Sequence, residues 1–371
     1  MHHSWRLVSL LALSSLCAGA GVFACTGFRD SSATPPDGGE EAAGPDGGEG
    51  DAGSPFSLVQ ALPAGEALTA IWGADADDIF AVGSNGLHYD YYDSTWHRYQ
   101  TEVGYDYQAV WGYSATDVYG VGVVSANNTG FIEHYDGTKW TLQELTPTAL
   151  YGVWGTTDAV LAVGSQGMIY GQHPSEPGWT MVLGDAGLPA NPNVASSPDE
   201  PILWGIAGSS LEDFAMPADL DRIFHAENAL STGDFVNLDP TVDRTISFRS
   251  VFAVPGSSGS YFFGSNYLGV VWLTPDGPPN VPLLDDGLYS IFEDHSQAGN
   301  EQLFVYGIWG AANHYVFTGD QGRIYTYAAG LDQFSTVVSP TDATLYGAWG
   351  SSASDVWIVG DRESILHGAL P

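Results

Sequence analysis

Leu68-Thr69-Ala70-Ile71-Trp72-Gly73, then a small and acidic turn closing on Asp78, then Ile79-Phe80-Ala81-Val82-Gly83, the pair Asn85-Gly86 and, further on, Trp96: this stretch decides how the chain folds. Its apolar runs are short, β-branched and aromatic, and each is bounded by small or acidic turn residues, the pattern of brief strands joined by hairpins. The Trp-Gly pair returns at Trp111, Trp154, Trp204, Trp309 and Trp349, and a weaker copy, Phe248-Arg249-Ser250-Val251-Phe252, fills the widest gap. Successive starts lie 39 to 57 residues apart. That spacing fits one four-stranded sheet per repeat, so the sequence predicts an all-β, seven-bladed β-propeller of four-stranded antiparallel blades.

Within the first copy the strands fall at Leu68–Trp72, Ile79–Val82, Leu87–Tyr92 and Trp96–Tyr99. The second repeats them through Val118–Val121, Phe131–Tyr135, the turn Asp136-Gly137 and Trp140; the third through Val160–Val163, Gln166-Gly167 and Trp179. The last copy supplies only three strands, Leu345–Trp349, Asp355–Val359 and Ser364–Leu370, before the sequence stops at Pro371. Phe56–Gln60 precedes the first Trp-Gly at the distance an outer strand should, so it is expected to complete the seventh blade and close the ring. Large flat Trp side chains fill the wedge between blades, and small residues such as Ala81, Gly83, Gly120 and Gly122 on the second strand let sheets approach. In the fourth copy Leu211–Asn228 departs from the strand pattern, and a short helix is expected around Ala218–His225.

The residues Val163-Gly164, Gly167-Met168-Ile169 and Asp136-Gly137-Thr138-Lys139-Trp140 are similar to those of bacterial propellers of the photosystem-assembly-factor, Kelch and sialidase-like kind. The resemblance runs from Phe56 to the C terminus. It implies the propeller fold; across propellers, function ranges from scaffold to lyase.

Nine Lys and Arg stand against 44 Asp and Glu, a formal charge of −35. Such a surface repels phosphate backbones, which argues against nucleic acid as a partner and suits cations or basic proteins. His2, His3 and Arg6 precede an apolar run, Leu7–Leu16, too short to span a bilayer and of the length of a secretory signal core. Ala18-Gly19-Ala20 offers an ordinary cleavage site. Val22-Phe23-Ala24-Cys25 resembles the lipobox of bacterial lipoproteins and is the preferred reading, with residues 1–24 as signal and Cys25 carrying the lipid. Cys17 leaves with the signal, so Cys25 has no disulfide partner in the mature chain. Thr26 after it points to an outer-membrane or cell-surface destination. Residues 25–55, rich in Asp, Glu, Gly and Pro with scarcely a bulky apolar side chain, read as a tether holding a domain at 56–371 off the membrane.

Catalytic signatures are scarce. The eight histidines beyond the signal, His88, His97, His134, His173, His225, His295, His314 and His367, are scattered without metal-ligand spacing. Arg222, Arg244, Arg249, Arg323 and Arg362 carry no sialidase-type entry motif. Asp75, Asp77 and Asp78 offer a weak Ca²⁺ ligand set, read first as turn residues, and no cofactor is expected. The two largest insertions, Gly184–Pro201 and Leu284–Leu303, join an outer strand to the next inner strand, on the face that also bears the second-to-third-strand hairpins. Long loops on a rigid scaffold are where recognition usually sits. That face predicts contacts from Asp199, Glu200, Asp285, Asp286, Glu293, Asp294 and His295, with stacking by Tyr105 and Tyr107. The function expected is an envelope-anchored, noncatalytic binding or scaffold protein for a protein, glycan or cation. The alternative is a secreted glycan-active hydrolase or lyase with a carboxylate-based site.

Overall fold

A computed structural model describes residues 54–60, 66–173, 178–183, 201–219, 222–227, 235–238, 247–266, 269–275, 283–285, 288–292, 304–329, 333–362 and 364–371. Its strands form seven antiparallel sheets, the blades of a propeller. Blade 1 holds β2 (Leu68–Gly73), β3 (Ile79–Gly83), β4 (Leu87–Tyr92) and β5 (Thr95–Gln100). Blade 2 holds β6 (Tyr105–Ser114), β7 (Asp117–Val124), β8 (Thr129–Tyr135) and β9 (Trp140–Thr146). Blade 3 is β10 (Leu150–Thr156), β11 (Ala159–Gly164), β12 (Ile169–Gln172) and β13 (Thr180–Leu183). Blade 4 is β14 (Ala207–Ser210), β15 (Asp213–Pro217), β16 (Ile223–Glu227) and β17 (Phe235–Leu238). Blade 6 is β23 (Val305–Ala311), β24 (His314–Gly319), β25 (Ile324–Ala328) and β26 (Gln333–Val337).

The ring closes as the sequence predicts. In blade 7, β27 (Leu345–Ser352), β28 (Asp355–Gly360) and β29 (Ile365–Gly368) are completed by β1 (Phe56–Gln60), with Phe56 opposite Gly368 and Leu58 opposite Leu366. The two distant ends of the domain thus share one sheet, which leaves no free edge from which the ring could peel.

Inner strands show why Trp is followed by Gly. A Cβ built on Gly73 would lie 2.6 Å from the Trp349 ring, and the same conflict sets Gly112 against Trp72, Gly155 against Trp111, Gly208 against Trp154 and Gly350 against Trp309. Each Trp therefore lies over the glycine of the following blade, a close approach that any side chain would block. Burying a side chain of this size contributes about 1.5–3 kcal/mol, and Trp72, Trp111, Trp154, Trp309 and Trp349 are all buried. The hairpins between second and third strands turn through Asn85-Gly86, Gln166-Gly167 and Gln321-Gly322, all at positive φ (60° and 75° in the first). Two consecutive left-handed residues match the twist of the flanking strands, which favours Gly in the second place.

Blades 4 and 5 depart from expectation. Trp204 is not the inner-strand Trp of blade 4: Gly208 takes the place of Gly112, so Ala207 stands where Trp belongs, opposite Ala215. Trp204 lies three residues earlier and packs on Tyr151, with the Arg249 guanidinium 3.8 Å from its ring centroid. The helix expected around Ala218–His225 is absent from the described residues there; Ile223–Glu227 is strand β16, paired with β15 and β17. Blade 5 contains β18 (Phe248–Ala253), β19 (Tyr261–Ser265), β20 (Val270–Leu273) and β22 (Leu288–Phe292), with β21 (Leu283–Asp285) added as a fifth strand on its outer edge. Part of the insertion expected at Leu284–Leu303 is therefore sheet.

Candidate functional site

Successive blades meet through a repeated constellation. Asp117 opens β7, and two residues on Tyr119 pairs with His134 of β8, whose Nε2–H donates to Asp117 Oδ1 at 2.7 Å. In blade 7 Asp355 opens β28, Trp357 pairs with His367, and His367 donates to Asp355 at 2.7 Å. In blade 4 Asp213 opens β15, Ala215 pairs with His225, and His225 donates to Asp213 at 3.0 Å. Asp213 also accepts from Ser209, Ser258, the Gly259 N–H and Tyr261. Burial alone would raise its pKa, but the hydrogen bonds from His225, Ser209, Tyr261 and Ser258 override it and hold the carboxyl well below the usual range.

Against this strand pair comes the outer-strand Trp of the next blade. Trp96 meets Trp357 edge-on at 5.3 Å and 79°, Trp140 meets Phe80 at 6.4 Å and 80°, and Trp179 meets Tyr119 at 5.9 Å and 78°. Three junctions, 7/1, 1/2 and 2/3, thus share one plan. The imidazole fills the slot beside the aromatic: His367 stacks on Trp357 at 4.1 Å and His134 lies 4.6 Å from Tyr119.

Blade 1 breaks the plan at one position. Asp78 precedes β3 as Asp117 opens β7, and Phe80 stands for Tyr119, but the residue opposite Phe80 on β4 is Asp90. A carboxylate replaces the imidazole. What remains is a cleft of about 650 Å³ between blades 1 and 2, with Asp78, Phe80, His88, Asp90 and Tyr99 on one side and Tyr135, Lys139 and Trp140 on the other. Asp90 is 8% exposed and its Oδ1 has no hydrogen-bond partner. Burial pushes its pKa up to about 7. Asp78 is also raised, first by burial and then by the charges of Asp75 and Asp77. His88, 4% exposed with an unpartnered Nδ1, is pushed down to about 4 by burial, only partly offset by the Gly86 carbonyl. Its ring stacks on Tyr99 at 5.4 Å and lies 5.6 Å from Trp140. His97, opposite Asp90 on β5, does not supply the missing donor: it stacks on Tyr92 at 3.9 Å and its Nε2 is unpartnered.

Of the residues expected to form a binding face, Tyr105 and Tyr107 lie on β6 rather than on a connection. Tyr107 is fully buried, donates to Glu133 and packs edge-on against Phe131 at 5.0 Å, so it has no face to offer a ligand. Tyr105 is half-buried and stacked on Phe131 at 4.5 Å. Asp285 ends β21. Asp199, Glu200, Asp286, Glu293, Asp294, His295 and Cys25 lie outside the described residues. The hairpin at Asn85 and the connection at Gly104 do share a face, since the Gly104 N–H donates to Asn85 Oδ1 at 3.0 Å. The 1/2 cleft includes turn residues from the opposite face, among them Ala115, Thr116 and Thr138. Asp75 Oδ1 accepts the N–H groups of Asp77 and Asp78 at 2.9 and 3.1 Å, an Asx turn. Among the described residues no group of three or more His, Cys, Asp or Glu is placed to hold a metal ion, and no helix is long and apolar enough to cross a membrane. Arg222, Arg249, Arg323 and Arg362 are dispersed over blades 4 to 7.

The histidine pairs escaped sequence reasoning because their spacing is not local. One signal was available: Asp90 and His367 both stand 18 residues after the Trp of their copy, so aligning first and last repeats shows the exchange.

No family model matches the chain, and no curated protein matches it. Solved structures do. YCF48 bound to D1 peptide superposes with a TM-score of 0.61 at 13% identity, over 85% of this chain and 97% of that one. YCF48 from Cyanidioschyzon merolae gives 0.62 at 16%, over 85% and 98%. The WD40 β-propeller domain of Doa1 gives 0.60 at 14%, over 85% and 96%. At these identities the likeness establishes the propeller fold and nothing finer.

Proposed function

We propose that this chain is an exported, lipid-anchored propeller that acts as a noncatalytic binding or scaffold module for a protein partner. The observation that carries the reading is the 1/2 cleft, where a closed and rigid ring holds buried polar groups without partners beside an aromatic wall. Buried polar atoms are ordinarily satisfied, and a preformed concave site with a few converging polar groups is the usual form of a recognition site. Support for the location comes from the sequence: the signal-like residues 1–24, Cys25 in a lipobox-like setting and the acidic tether to residue 55. A partner protein agrees with the structural neighbour whose printed description is of YCF48 bound to a peptide.

The test is cross-linking of the full-length protein in intact cells, followed by identification of what it captures, beside a Cys25→Ala variant. A specific protein captured by the wild type, with loss of labelled fatty-acid incorporation in the variant, is the expected result. Capture of nothing above background, or lipid incorporation that persists without Cys25, would overturn the respective half of the reading.

One observation favours the glycan-active alternative: two carboxyl groups of raised pKa line a single cleft. Glycoside hydrolysis needs one carboxyl protonated while the other is ionised, and Asp90, pushed up to about 7 by burial, is the candidate acid of such a pair. Turnover of a panel of chromogenic glycosides, abolished by Asp90→Asn, would establish the enzyme.

A further inference from the structure

The slot at the 1/2 junction is defined by what fills it elsewhere. At 7/1 and 2/3 a planar imidazole donates to the carboxylate that opens the second strand and lies against an aromatic ring. At 1/2 the acceptor remains as Asp78 and the aromatic as Phe80, while the donor has been exchanged for a second acceptor, Asp90. The carboxylate is smaller than the imidazole, so the exchange opens space as well as removing a proton donor. The surroundings extend the aromatic lining: Tyr135 lies 5.5 Å from Phe80, and Trp140 5.5 Å from Tyr135. The vacant place therefore calls for a flat, cationic donor that satisfies two carboxylates and stacks on aromatic faces. A guanidinium does all three; an ammonium lacks the planar fork.

We propose that the cleft between blades 1 and 2 receives the guanidinium group of an arginine side chain from a partner protein, held by Asp78 and Asp90 where His134 and His367 sit at the neighbouring junctions. This rests on the binding-module reading. The formal charge of −35 favours a basic partner segment through its long-range field, and the cleft selects one side chain from it. Lys139, exposed on the blade 2 side, is the basic residue on the rim.

Asp90 is ionised by the incoming charge, so binding below about pH 7 releases a proton. The other groups facing the slot are Asp78, with Asp75 and Asp77 behind it, His88, His97, Lys139 and the tyrosines 92, 99 and 135.

The experiment is calorimetric titration of the full chain with N-acetyl-arginine amide, N-acetyl-lysine amide and N-acetyl-citrulline amide. Wild type is expected to bind the arginine probe most tightly, with proton release below about pH 7 that fades as pH rises above it. Asp90→His, which installs the residue of blades 2, 4 and 7 while changing the net charge little, is expected to weaken it about tenfold or more. Asp78→Asn, at a half-exposed position, repeats the test should Asp90→His fold poorly. Equal affinity for arginine and citrulline, or undiminished affinity in both folded variants, overturns the proposal. In the cross-linking test above, a protein captured equally by Asp90→His would likewise overturn this site while leaving the binding-module reading intact. Capture of nothing, with arginine binding retained, would do the reverse.

Discussion

The junction between blades 7 and 1 and the junction between blades 1 and 2 use the same parts with different outcomes. In the first, Asp355, His367, Trp357 and Trp96 close on one another, and Tyr91 seals the edge at 5.0 Å from Trp357. In the second, Asp78, Asp90, Phe80 and Trp140 stand in equivalent places and leave a cleft of about 650 Å³. The polar difference is one residue on a third strand, Asp90 for His367, beside the smaller ring of Phe80 in place of Trp357. It teaches that in a ring whose blades touch only their neighbours, a single polar exchange at a repeated position creates a site without disturbing the rest of the circle.

The largest effect that separates the two junctions is expected from removing the wedge tryptophans. Trp96 is buried against Trp357 and Tyr91, so Trp96→Ala should cost about 3–5 kcal/mol. Trp140 is half-buried on an open cleft, where the loss of contact is smaller, and Trp140→Ala should cost about 1–2 kcal/mol. Urea unfolding of the two variants measures both. Equal costs would mean that the cleft is not a real relaxation of the packing.

The next effect is a pH dependence with two opposing parts. Asp90 has a folded pKa of about 7 against an unfolded value near 3.9, so between them the native state holds a proton that the unfolded chain has lost, and stability falls as pH rises. His88 has a folded pKa of about 4 against roughly 6.5 unfolded, so the unfolded chain holds the extra proton and stability rises with pH. Between about pH 4 and 6.5 the two slopes nearly cancel. Asp90→Asn removes the falling part: the variant should match the wild type near pH 4 and exceed it by about 2–4 kcal/mol at pH 8. His88→Gln should expose the opposite slope. Melting temperatures across that range decide it; parallel curves for wild type and Asp90→Asn would show that Asp90 is already ionised in the native state.

Sequence and structure agree most closely where the signal is periodic and steric. The Trp-Gly spacing yields the blades, and the missing fourth strand of the last copy yields the partnership of Phe56–Gln60 with β29. Trp204-Gly205 misleads because it has the dipeptide without the register; only the pairing of Gly208 with Phe214 shows that Ala207 occupies the inner position. The site was harder to read. Asp117 and His134 are 17 residues apart, and their meeting depends on how β7 pairs with β8 across a hairpin longer than the one in blade 1. Long loops drew the sequence reading to the opposite face, while the cleft arises from a substitution inside a strand, where composition carries no warning.

The smallest effect comes from the converse exchange, His367→Asp in blade 7. It should turn the closed junction toward the open one, because it leaves Asp355 without its donor and uncovers the face of Trp357 on which the imidazole stacks. His367 and Asp355 are 38% and 24% exposed in their side chains, so water replaces much of the lost hydrogen bond and the cost should be only about 1 kcal/mol. The informative readout is binding rather than stability. Two carboxylates beside Trp357 and Trp96 reproduce the chemistry of the 1/2 slot, so the variant should bind N-acetyl-arginine amide at a second site that wild type lacks. If stability falls as expected but no second site appears, the affinity at the 1/2 junction must come from the wider wall of His88 and Tyr99, which the 7/1 junction does not share, rather than from the carboxylate pair.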